Sequence, residues 1–134
     1  CGGFPVTRGS ADREALMRCI ALLDGGEPLV LFPEGERKSG PTVQPLFDGA
    51  AYISAKSGAP IVPVGIGGSE RAMPKGAKGI SPRKIHVEIG RPLPAPTGDT
   101  PKAQRDAIRR TTADLHAELQ RLLDAAETRA SSHR

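Results

Sequence analysis

In Leu29-Val30-Leu31-Phe32-Pro33-Glu34-Gly35, four consecutive apolar residues run straight into a proline, an acid and a glycine. So short an apolar run, without polar alternation, reads as a central strand covered on both faces of a sheet. Pro33 stiffens the turn that follows, and Gly35 permits positive φ or the close approach of a ligand. Ligands of open α/β sheets collect beyond the carboxyl ends of the strands, so this turn is the candidate site.

Towards the N-terminus, residues 4–7 read as a short strand, and Ser10 followed by Asp12 and Glu14 reads as a helix start. Ala15, Leu16, Cys19, Ile20 and Leu23 then recur at helical spacing until Gly25-Gly26 stops them, which makes Cys19 a core residue rather than a nucleophile. Towards the C-terminus, residues 46–56 predict a weaker helix ended by Gly58. Residues 61–66 predict a strand whose Pro63 implies an edge position or an interrupted ladder. A basic, glycine-rich loop follows over residues 67–82. In residues 84–89, Ile85, Val87 and Ile89 alternate with Lys84, His86 and Glu88, the pattern of a half-buried strand with His86 on the solvent side.

Residues 91–101 hold four prolines and read as a linker, and residues 102–127 form an amphipathic helix with Ile108, Leu115, Leu119, Leu122, Leu123 and Ala126 on one stripe. Strand, helix, strand, helix, strand predicts an α/β fold: a mixed, largely parallel sheet with helical crossovers, plus the long C-terminal amphipathic helix. The expected organisation is one partial domain over 1–134, with 1–90 as its α/β part.

A length of 134 residues, 37% of them hydrophobic and 25% charged, fits one soluble domain with a modest core. The chain opens on Cys1 and passes at once into a Gly/Pro/apolar stretch, which points to a missing N-terminal portion. Cys1 and Cys19 have neither zinc-site spacing nor the density of a disulfide scaffold, so a reducing, cytoplasmic compartment is expected. The longest run free of charged or strongly polar side chains, residues 59–68, is ten residues and cannot span a bilayer.

A net charge of +4 conceals a local excess: Arg71, Lys75, Lys78, Arg83, Lys84 and Arg91 face one acid, Glu88. Such a cluster suits phosphate, anionic lipid or nucleic acid, or is simply a solvated face. An aromatic content of 3%, without tryptophan, argues against base stacking, and no nucleic-acid partner is expected.

The turn after the apolar run crowds Glu34, Gly35, Glu36, Arg37 and Lys38 together. Arg37 offers a planar fork suited to phosphate oxygens, and Glu34 can orient that guanidinium or accept a ligand hydroxyl. On spacing alone, a phosphate or carboxylate site and a plain charged turn both remain open.

Phe32-Pro33-Glu34-Gly35-Glu36-Arg37 resembles the F-P-E-G-T-R motif of the glycerophosphate and 1-acylglycerol-3-phosphate acyltransferases. Gly3-Phe4-Pro5-Val6-Thr7-Arg8 resembles the block that precedes it in that family, and Pro60-Ile61-Val62-Pro63-Val64 the block that follows. The resemblance implies that Arg8 and Arg37 bind the acceptor phosphate, Glu34 and Gly35 its glycerol end, and Pro63 a cavity wall. Glu36 stands where the family usually has threonine, and is expected to turn away from the phosphate or to pair with Lys38.

The resemblance also implies an upstream His-x-x-x-x-Asp motif whose histidine is the general base. No such pair occurs here, since Arg91 and Arg121 lie five residues beyond His86 and His116. No catalytic residue is therefore assigned in this chain, and it is expected to be inactive alone. The implied reaction is acyl transfer from acyl-CoA or acyl carrier protein to lysophosphatidic acid or glycerol 3-phosphate, without metal or other cofactor. Peripheral contact with the cytoplasmic face of a membrane is expected. The competing reading is a non-catalytic lipid- or phosphate-binding module.

Overall fold

The computed structural model describes residues 12–35 and 40–132. In order these form α1 (Arg13–Asp24), α2 (Gly49–Ser57), β1 (Val64–Gly67), the single turn α3 (Ser69–Ala72), β2 (His86–Ile89) and α4 (Pro101–Ser131).

The helix ends have local causes. Asp12, rather than the expected Ser10, caps α1: its Oδ1 accepts from the Ala15 amide at 3.0 Å. Ser10 lies outside the described residues. Gly25 and Gly58 close α1 and α2, the latter in the left-handed conformation at φ 75°. Thr100 caps α4, with Pro101 already pre-set for the first turn. The α4 stripe buries Ala107, Ile108, Leu115, Leu122 and Ala126, and Cys19 of α1 is buried as expected.

Among the described residues the sheet is two antiparallel strands, with Val64 opposite Ile89 and Gly67 opposite His86. Among the described residues there is no largely parallel sheet. The run 29–32 is not a strand: it has no ladder partner among the described residues, and Val30 is 81% and Phe32 75% exposed. Pro63 interrupts pairing, as expected. Ile61 and Leu93 exchange hydrogen bonds at 2.9 and 2.7 Å before it, and β1 begins after it. The Pro-rich segment 91–101 is thereby tied to the sheet through Leu93, and the Pro96 carbonyl accepts from the Gln104 side chain.

The faces of β2 are reversed from expectation. Val87 and Ile89 stand with Val64 and Ile66 on the exposed face, while His86 and Glu88 lie half-buried on the other. The cause lies in β1, whose face towards α4 is Gly65 and Gly67. A Cβ at Gly65 would stand 2.5 Å from the backbone carbonyl carbon of Leu122, and one at Gly67 would meet the backbone of Ala126. The helix backbone therefore rests on the strand backbone, a seat that only glycine allows. Glu88 closes the same face by accepting from Arg129 Nε at 2.9 Å.

Candidate functional site

The turn at residues 32–35 is closed by the Gly35 amide donating to the Phe32 carbonyl at 3.0 Å, with Gly35 at φ 76°. Two constraints require glycine there. The backbone is left-handed, and the Phe47 ring lies over the position, 2.8 Å from where a Cβ would stand. The Phe47 amide donates to the Pro33 carbonyl at 3.2 Å, which ties the turn to the approach to α2.

Glu34 is half-buried, and its Oε2 accepts from the Gln44 amide at 2.9 Å. One carboxylate oxygen thus fixes the chain as it returns from the charged loop. Arg37, together with Glu36 and Lys38, falls outside the described residues, as does Arg8. Of the expected site residues, the structure unites Glu34 and Gly35 in one turn. Pro63 is fully buried with its ring against Gly90, and its carbonyl accepts from the Gly90 amide at 2.9 Å.

The returning segment is held from three further directions. Gln120 of α4 accepts from the Val43 amide at 2.8 Å and donates to the Pro41 carbonyl at 2.9 Å. His116, one turn earlier, places Nε2 2.9 Å from the Val43 carbonyl and so carries its proton on that nitrogen. Glu70 of α3 accepts from the Gly40 amide at 3.0 Å. Sequence reasoning missed these three. The available signal was that His116 and Gln120 are polar positions four apart beside the apolar stripe of α4.

The remaining titratable groups do not make a reaction centre among the described residues. His86 is engaged with Glu88 at 3.1 Å, and burial pushes the Cys19 thiol above its ordinary range. A bidentate pair joins Arg121 to Glu118 at 2.6 and 3.0 Å, and this hydrogen bonding holds Glu118 below the usual carboxylate range, with Arg91 adding to the effect. Glu118 lines an open groove with Arg91, Leu93, Asp114, Ala117 and Arg121, none of which belongs to the turn or to segment 40–44. No cluster of described residues could hold a metal ion, and no described helix is long and apolar enough to cross a membrane. What the arrangement offers chemically is a rigid, glycine-shaped backbone turn with an ordered acid.

Residues 1–67, half of the chain, match the family model described as Acyltransferase. The chain is 36% identical over 81 residues to a chloroplastic 1-acyl-sn-glycerol-3-phosphate acyltransferase of Brassica napus, and 33% identical over 81 residues to one of Arabidopsis thaliana. Each match covers 60% of this chain but only 24% and 23% of those proteins. The chain thus spans about a quarter of the curated relatives it matches. The crystal structure of the 1-acyl-sn-glycerophosphate acyltransferase PlsC from Thermotoga maritima superposes with a TM-score of 0.59 at 27% identity, covering 79% of this chain and 44% of that one. With its Pro33-Glu34-Gly35 turn built as described and half its length matching the family model, the chain belongs to the acyltransferase family.

Proposed function

We propose that the intact protein transfers an acyl group from acyl-CoA or acyl carrier protein to the free hydroxyl of 1-acylglycerol 3-phosphate, giving phosphatidic acid. The acceptor oxygen attacks the thioester carbonyl, the C–S bond breaks, and the hydroxyl proton leaves with the thiol. The observation that carries this reading is the Phe32-Pro33-Glu34-Gly35 turn, closed at Gly35 and pinned by Glu34, in a chain of this family.

In this reading the chain supplies acceptor binding. Arg37, two residues after Gly35 in the sequence, carries a guanidinium fork that can take two phosphate oxygens. Arg8 provides the second cation, and Glu34 with Gly35 faces the glycerol end. The general base is neither described histidine: His116 is committed to the Val43 carbonyl and His86 to Glu88. In this reading the chain alone is expected to be inactive, and lipid substrates suit an intact protein peripheral to the cytoplasmic face of a membrane.

The test is acyl transfer from acyl-CoA to lysophosphatidic acid by this chain and by a form extended upstream through a His-x-x-x-x-Asp, each with and without Arg37→Ala. We expect turnover only from the extended form, with Arg37→Ala raising the acceptor KM by about 10- to 100-fold. Equal turnover by both forms overturns the assignment of the base. Absence of turnover from both leaves the lipid- or phosphate-binding module as the function.

A further inference from the structure

The family model ends at residue 67, and the most basic part of the chain follows it. There, residues 73–80 project from a closed neck. The Ser81 amide donates to the Ala72 carbonyl at 2.8 Å, and Gly68 lies against the carbonyl of Lys84 with no room for a Cβ. Within the loop, the Ala77 amide donates to the Pro74 carbonyl at 3.0 Å. The loop is therefore a built projection.

Its chemistry is amphipathic. Lys75, Lys78, Arg83 and Lys84 are exposed, and no acid lies between Arg71 and Val87. The acids nearest the neck are engaged elsewhere: Glu70 with the Gly40 amide, Glu127 with Arg71 and the Gly68 amide, and Glu88 with His86 and Arg129. Among these cations Ile80 is 77% exposed, with Met73 38% exposed at the base of the loop. Exposed cations on either side of a bare β-branched side chain in the sequence match an anionic bilayer, where headgroups meet the cations and the interface takes the apolar group.

We propose that the projection at residues 73–80, together with Arg83 and Lys84 at its neck, docks on an anionic phospholipid surface, with Lys75, Lys78, Arg83 and Lys84 on the headgroups and Ile80 in the interface. The Glu70 bond to Gly40 joins this projection to the segment returning from the Glu34 turn, so docking brings that turn to the lipid surface. The use made of docking rests on the proposed lipid acceptor. The docking itself does not, and it is measured without donor or acceptor.

The test is co-sedimentation of the 134-residue chain with phosphatidylcholine vesicles, with and without phosphatidylserine, at about 0.1 M and about 1 M salt. We expect binding only to the anionic vesicles and loss at high salt. Lys75→Ala with Lys78→Ala should weaken partitioning about 25-fold, each cation contributing about fivefold, and Ile80→Asp should weaken it further. Val87→Thr with Ile89→Thr, on the bare sheet face, should leave it unchanged. Equal binding to neutral vesicles, an unaffected lysine variant, or loss with the sheet variant instead would overturn the proposal. Circular dichroism of each variant separates loss of docking from loss of fold.

Discussion

Replacing Gln120 with alanine removes two hydrogen bonds that α4 makes to the segment returning from the candidate site, at 2.8 Å from the Val43 amide and 2.9 Å to the Pro41 carbonyl. The two losses differ in weight. Pro41 is exposed, so water replaces its partner at little cost. Val43 is buried at 7% exposure, so its amide is left unsatisfied at about 1–3 kcal/mol. Because His116 still holds the Val43 carbonyl and Glu34 the Gln44 amide, the damage should be local opening rather than unfolding. Taking about 2 kcal/mol, exchange of the Val43 amide hydrogen should accelerate about 30-fold, while the urea midpoint changes much less. Gln120→Glu keeps an acceptor for Val43 but loses the donor to Pro41 and faces Asp124, so it should fall between. Hydrogen exchange read by NMR decides the matter. A Val43 rate in Gln120→Ala within about threefold of the parent chain would refute the idea that α4 holds this segment.

Gly65→Ala places a methyl against the Leu122 backbone, where no side chain can turn aside. We expect about 2 kcal/mol of destabilisation in urea unfolding, and an unchanged midpoint would show that α4 does not rest on β1. The Cys19 thiol, pushed up by burial, should resist iodoacetamide in the folded chain and react on unfolding, followed by mass spectrometry on its own peptide. Because its folded-state value is raised, its contribution to stability is full below the ordinary thiol range. Above about pH 8.5 that contribution declines, since the unfolded chain ionises first, and it is lost as pH passes the raised value. Cys19→Ala should flatten that decline, and an unchanged slope would exclude Cys19 as its source.

The parts of the fold legible in the sequence are those set by neighbours in the chain. The 3.6-residue recurrence of Ile108, Leu115, Leu122 and Ala126 gave α4 and its buried side, and Gly25 and Gly58 marked where α1 and α2 stop. Strand pairing is different, because the run 29–32 carries no information about what its amides bond to. Alternation in β2 likewise separates two faces without saying which is covered. That choice was made by Gly65 and Gly67 in another strand, which leave room for a helix backbone opposite His86 and Glu88. At the site, the turn was readable because Pro33 and Gly35 mark it locally, whereas the bond from Glu34 to the Gln44 amide was not read from the sequence. Gln120 and His116 were not readable either, since they act on Val43 from 77 and 73 residues away.

Gln120 and Glu127 stand seven residues apart on α4, two turns and about 10 Å along one face. The first grips the segment leaving the Glu34 turn; the second grips Gly68 and Arg71 at the root of the basic projection. Helical rise does not stretch, so the separation of these two loops is counted out in residues, as marks on a ruler. Side chains on the outer faces of α4 can change freely without altering that measure. A single residue added between the two grips would swing one of them about 100° off the face and release its loop. The depth at which the turn stands behind whatever the projection touches is thus a matter of sequence length.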